Sequence, residues 1–288
     1  MPPQLFDLDL LARRRARAAA APGGPADFLH AVAADEIADR LAEVNRSFRS
    51  PAVISPRGDV WADRLRAAGA PAARVVPDAE TLDLAPGAHD LVVHGLALHW
   101  ANDPVGQLVQ SRRALAPDGL FLGALFGAGS LAELRAALGE AEVAETGGLS
   151  PRVAPMGEIR DLGSLLQRAG FAMPVADSLR ADARYPDALA LMRDLRAMGE
   201  TNVMRSRLAR PTPARVFARA AAIYRERFGA PDGRVRASFE IVVLTGWAPG
   251  AGQPKPLRPG SAAARLADAL GVAERGLGES ADPGRRDD

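Results

Sequence analysis

Apolar residues recur along this chain in two rhythms, one helical and one extended. Phe28, Val32, Ile37, Leu41 and Val44 stand four, five, four and three positions apart, close enough to the helical period to line one helix face. Val53-Ile54 behind Pro51 reads as a short buried strand, and Trp61, Leu65 and Ala68 as a short helix that stops near Gly69. Val75-Val76 begins the next strand. Asp90-Leu91-Val92-Val93 is the clearest strand of this half, and Leu96 to Asn102 turns from it into a helix carrying Leu108 and Leu115. Pro117-Asp118-Gly119 ends that helix, and the apolar run Leu120 to Phe126 follows at once, as in a helix-to-strand crossover of a parallel sheet. The predicted fold class is doubly wound α/β.

Farther along, Leu131 to Ala144, Leu162 to Ala169 and Pro186 to Met198 read as helices, and Phe239 to Gly246 as a late strand. Gly and Pro dominate from Pro249 onward, broken by a short helical pattern from Ala262 to Val272, so a mobile tail is expected there. The expected organisation is an N-terminal helical segment over 1–50, an α/β domain over 51–248 with a helical cap around 150–235, and the tail over 249–288.

Composition narrows the function classes. With 288 residues, 48% of them hydrophobic, the chain can bury a full core. Its 36 Lys and Arg against 35 Asp and Glu leave no global field to attract nucleic acid, which is not an expected partner. The absence of cysteine removes disulfides, thiolate nucleophiles and Cys-based metal sites. The longest apolar runs fall short of the ~20 residues of a bilayer span, so no transmembrane segment is expected. The run Arg13-Arg14-Arg15-Ala16-Arg17 has the basic character of a transit peptide, but Asp7 and Asp9 stand beside it, and it reads as a solvated basic helix turn. An Ala- and Arg-rich chain of this kind suits a bacterial cytoplasm.

Several stretches carry a family resemblance together. They are Leu5-Phe6-Asp7-Leu8-Asp9, Asp90-Leu91-Val92-Val93 with Leu98-His99-Trp100-Ala101-Asn102-Asp103, Leu115-Ala116-Pro117-Asp118-Gly119, and Gly123-Ala124-Leu125-Phe126-Gly127 with Leu131 to Arg135. Gly147 to Pro151, Asp161-Leu162-Gly163 through Phe171, Met198-Gly199-Glu200-Thr201-Asn202 and Gly246-Trp247 complete the set. In this order they resemble the complex I assembly factor family described as a protein arginine hydroxylase, which has a class I methyltransferase (Rossmann-like) fold. A broader resemblance is to the biotin-pathway methyltransferase that esterifies a malonyl carrier protein. The resemblance implies S-adenosylmethionine as cofactor and a respiratory complex I subunit, or another protein substrate, as partner. Such a partner would bring the protein to the periphery of the inner membrane.

In a doubly wound sheet the ligand lies beyond the carboxyl ends of the strands, where a glycine turn lets the backbone approach it. Here Val53-Ile54 runs into Ser55-Pro56-Arg57-Gly58-Asp59, with one glycine where the resemblance implies Gly-x-Gly and a proline that removes a donor. Asp78-Ala79-Glu80 aligns with the acidic segment that the family places near the adenine ring. Ser55, Arg57, Gly58, Asp78, Ala79 and Leu96 are therefore the candidate cofactor-binding residues. Only 24 positions separate Ile54 from Asp78. One strand-helix-strand unit takes about 30 residues, so two consecutive crossovers cannot fit, and the strand that would supply the ribose carboxylate is expected to be deleted. Two lost charge-assisted hydrogen bonds would take about 3 to 6 kcal/mol, roughly two to four decades in affinity.

Other motifs carry weaker signals. Gly127-x-Gly129 imitates a dinucleotide turn but lacks the third glycine and the later acid, and reads as structural. His99 and Trp100 are the catalytic candidates, at the sheet edge where the resemblance places active sites; a His beside a Trp is more often a packed, hydrogen-bonded pair, and sequence assigns it no carboxylate. His89, expected in a loop, His94 and His99 stand five apart, which puts no two on one helix face, so no metal site is expected. Glu200-Thr201-Asn202 could face a substrate protein or cap a helix, and Arg205 to Arg219 reads as a solvated helix face. Two functions follow: an active S-adenosylmethionine-dependent methyltransferase or hydroxylase acting on a protein or carrier, or a catalytically silent pseudoenzyme acting as an assembly or binding factor. The departure in the cofactor loop favours the second.

Overall fold

The computed structural model describes residues 4–253, and in it six strands form one mixed sheet. They are β1 (Pro51–Ile54), β2 (Arg74–Val76), β3 (His89–Gly95), β4 (Leu115–Phe126), β5 (Ala172–Tyr185) and β6 (Val235–Trp247), in the order β2-β1-β3-β4-β6-β5. β1 to β4 pair in parallel, while β6 runs antiparallel to both β4 and β5. Two helices precede the sheet, α1 (Leu8–Ala19) and α2 (Phe28–Glu43). The crossovers carry α3 (Gly58–Ala67), α4 (Pro104–Ala114), then α5 (Ala132–Thr146) with α6 (Ile159–Arg168), and finally α7 (Ala188–Ala197) with α8 (Ala214–Phe228). The Ala262–Val272 pattern, and the tail beyond residue 253, lie outside the described residues.

The period of two along the strands builds two cores, one on each face of the sheet. Val53, Leu91, Val93, Leu122 and Ile241 face α2, α3, α5, α7 and α8. Their neighbours Ala52, Ile54, Val92, Phe121 and Val242 face α4 and α6. Leu91, Val92 and Val93 are all fully buried, the mark of a central strand covered on both sides. This is the doubly wound α/β fold that the hydrophobic pattern predicts, in the class I methyltransferase arrangement that the resemblance implies.

Among the described residues a single strand stands beyond β1 on its outer side, in keeping with the short spacing to Asp78. The position beside β1 is not vacant, however: the three-residue β2 occupies it and leads directly into Pro77-Asp78.

Four local expectations are corrected. His89 is the first residue of β3 rather than part of a loop. Leu115 opens β4 instead of closing a helix, because Asp118 takes a left-handed φ of 62° that lets the chain bulge through Pro117 and continue as strand. Only Ala214 onward of the basic 205–219 stretch is helical. Arg13 to Arg17 lie in a twelve-residue helix, α1, but it is not simply solvated, since Arg15 turns inward and is 16% exposed.

Trp61 marks where the core meets the strand ends. It is fully buried, its indole nitrogen donates to His30 Nδ1 at 3.0 Å, and a Cβ on Gly95 would stand 2.3 Å from its ring. Trp61→Phe keeps most of the apolar volume but leaves the His30 nitrogen without its donor, at a cost of about 1–3 kcal/mol. Urea unfolding checks this; an unchanged midpoint would show that the bond contributes nothing.

Candidate functional site

A cavity of about 650 Å³ opens beyond the carboxyl ends of the strands, lined by Arg15, Asp78, Ala79, His94, Trp100 and Gln107 among others. A second, of about 330 Å³, is lined by Trp100, Phe126 and Glu200 together with the helices after β4 and β5. The Trp100 side chain borders both.

Helix α1 is pinned across the first cavity by its own start. Asp7 caps it, accepting from the Leu10 amide at 3.0 Å. Phe6 bonds both ways with the Asn102 side chain, and its ring meets Trp100 edge-on at 5.0 Å. Two turns along, Arg15 donates to Asp78 at 2.7 Å and lies 3.7 Å from Glu200. Arg15 is mostly buried; burial opposes its charge, but Asp78 and Glu200 more than offset this and raise its pKa.

Glu200 is the hub of a buried network. It follows Gly199, whose φ of 78° turns the chain inward after α7. Its carboxylate accepts from the Trp100 indole and lies 3.4 Å from His99 Nε2. Burial alone would raise its pKa, but His99, Arg15 and Trp100 outweigh that and hold it down at about 2. It is ionised at neutral pH and orients the His99 ring through Nε2. His99 packs on Phe126 with centroids 4.8 Å apart and lines neither cavity, so of the two catalytic candidates Trp100 reaches the open space and His99 does not.

His94 is 1% exposed, and burial lowers its pKa to about 4, so it is neutral. Among the described residues neither of its nitrogens has a hydrogen-bond partner, and neither does Gln107 Oε1; the Gln107 amide donates to the carbonyls of Ala79 and Glu80.

The six cofactor candidates divide. Asp78 and Ala79 line the first cavity, while Ser55, Arg57, Gly58 and Leu96 line neither. The Ser55 amide donates to Val76 O, its hydroxyl donates to Gly95 O at 2.8 Å, and the Arg57 amide donates back to that hydroxyl. The Arg57 guanidinium is 2.6 Å from Asp27. A Cβ on Gly58 would stand 2.0 Å from Val75 Cγ1, so the turn packs against side chain rather than open space. Leu96 is buried with φ 46°, and its amide donates to Ala124 O.

The three histidines do not converge: His89 opens β3 and bonds Ser50 O, at the far end of the strand from His94. Thr201 and Asn202 do not cap α7; the Thr201 hydroxyl accepts from Arg14, and Asn202 Oδ1 accepts from the Met204 amide. Gly127 and Gly129 donate to Glu240, which explains that pair structurally. Sequence reasoning missed Arg15, which stood inside an ordinary-looking basic run. It also missed that Glu200 is the carboxylate facing His99, 101 residues away.

Strand order, two-sided helix cover and a cavity at the strand ends define a class I methyltransferase-fold protein. The Methyltransferase domain family matches residues 54–123. The chain is 35% identical over 280 residues to "Arginine-hydroxylase NDUFAF5, mitochondrial" of Homo sapiens, covering 90% of this chain and 81% of that protein. It is 42% identical over 201 residues to the Danio rerio protein of the same name, covering 69% of this chain and 61% of that one, less than two thirds of the relative's length. A malonyl-[acyl-carrier protein] O-methyltransferase of Xylella fastidiosa (strain M23) is 35% identical over 179 residues, 62% of this chain and 58% of that protein. The chain belongs to the arginine-hydroxylase NDUFAF5 family. Among the described residues no helix is long and apolar enough to cross a membrane.

Proposed function

We propose that this chain is a family member whose S-adenosylmethionine site is degenerate and that it works as a cytoplasmic binding or assembly factor, with a respiratory complex I subunit as partner. The carrying observation is the Arg15–Asp78 ion pair: the acid best placed for a ribose diol is already engaged by the chain's own α1 at 2.7 Å. The turn after β1 adds to this, because the Ser55 and Arg57 amides are committed to protein acceptors and the turn does not border the cavity. These residues do not fit the cofactor's nucleoside. Fold alone does not supply chemistry.

One observation favours the second reading, an active enzyme modifying a protein or carrier substrate: among the described residues His94 and Gln107 Oε1 have no hydrogen-bond partners, beside a cavity large enough for a small molecule. Titration calorimetry with S-adenosylmethionine and its demethylated product separates the two. Absence of heat at millimolar ligand, with co-purification of a complex I subunit, is the expected result. Binding at tens of micromolar or tighter would overturn the degenerate-site reading.

A further inference from the structure

The second cavity has a make-up that the assembly-factor reading does not use. Its walls include the buried apolar side chains of Leu29, Leu134 and Phe239, and it is bordered by Met156, Met192 and Met198, which adapt readily to a flexible guest. Four arginines line it too, and their partners differ. Arg152 is held by Glu142 at 2.6 and 3.0 Å, and Arg207 lies 3.5 Å from Asp7. Arg14 donates to two neutral acceptors, the Thr201 hydroxyl and the Asn202 carbonyl. Arg196, on the exposed side of α7, makes no ion pair among the described residues.

Glu200, the carboxylate in the lining, is already bound to Arg15, His99 and Trp100. Arg14 therefore stands half-buried with Arg207, Arg17 and Arg196 around it and Asp7 as the nearby acid. Burial first, and those like charges next, push its guanidinium below its ordinary value. Arginine keeps its proton, so what relieves this arrangement is an anion.

We propose that this cavity binds a straight-chain aliphatic carboxylate, its tail against Leu134 and Phe239 and its carboxylate between Arg14 and Arg196. The inference is independent of the assembly-factor reading. A volume of about 330 Å³ is at the small end of small-molecule sites and suits one unbranched chain. A cationic guest would meet Arg14 and Arg196 with no unengaged carboxylate to receive it. An uncharged one would leave the half-buried Arg14 without a counter-charge.

The test is calorimetry of the full chain with decanoate, decanol and decylammonium, all below their micellar range. Decanoate should bind saturably, decanol at least about tenfold more weakly, and decylammonium not at all. Arg14→Gln and Arg196→Gln should each weaken decanoate by about tenfold or more, the size of one charge-assisted hydrogen bond. Arg210→Gln, an exposed arginine outside the cavity, should change nothing. If Arg14→Gln fails to fold through loss of its bonds to the 201–202 turn, the exposed and unpaired Arg196 carries the test alone. Equal affinity for decanol, decanoate binding untouched by Arg196→Gln, or no decanoate heat would each overturn the proposal.

Discussion

Glu200→Ala is expected to destabilise the protein by about 3–5 kcal/mol, the range for removing one partner of a buried ion pair. The carboxylate is the meeting point of three groups: the Arg15 guanidinium of α1, in an ion pair at 3.7 Å, the His99 ring, and the Trp100 indole N–H. Without it Arg15 keeps Asp78 alone, and two buried ring N–H groups lose their acceptor. For a domain of this size such a loss lowers Tm by roughly 6–20 °C. Glu200→Gln, which keeps an acceptor but not the charge, should fall between alanine and the natural residue. Chemical denaturation gives the free energies, and a loss below about 1 kcal/mol for alanine would refute the hub role.

Acidification should have an effect of similar size, in two stages. His30 and His94 are both held near 4 by burial, and His30 is further fixed as the neutral acceptor of Trp61. In the unfolded chain they take up protons below about 6.5. The unfolded state therefore binds more protons between the two values, and stability falls as pH drops from about 6.5 to about 4. Each histidine accounts for a loss on the order of 3 kcal/mol. Glu200, with its pKa lowered to about 2, stabilises the fold above its ordinary range, and that contribution disappears as pH falls from about 4.5 to about 2. Unfolding free energies measured across this range should decline twice, and His94→Gln should flatten the first decline. A stability flat from pH 7 to pH 4 would contradict the buried neutral state of both rings.

The two cores were legible because central parallel strands announce themselves as unbroken apolar runs, as in Leu91-Val92-Val93 and Leu120 to Phe126. Counting residues between Ile54 and Asp78 rightly allowed a single crossover, but did not tell which strand is absent: β2 stands beside β1 and leads into Asp78. β5 escaped notice for the opposite reason. Its Arg180, Asp182 and Arg184 alternate with small residues on an edge strand paired only to β6, so no apolar run marks it. The site was half legible. Asp78 and Trp100 follow from their places at strand ends, but the Arg15–Asp78 and His99–Glu200 pairs join residues 63 and 101 positions apart. Only the way α1 and the turn after α7 lie across the sheet brings them together. Nothing in the local pattern of a basic helix says which arginine turns inward.

Trp100 is a single indole with an occupied room on each side of it when both cavities are filled. A guest in either one that tilts or locks this ring alters the other, and equilibrium linkage makes the exchange even-handed: the factor by which the first ligand changes the grip on the second equals the factor in return. Because the ring is tethered through its N–H to Glu200, that conversation passes through the same carboxylate that holds α1 in place. A small molecule that fills one side and moves the ring would thereby change how firmly the N-terminal helix is clasped.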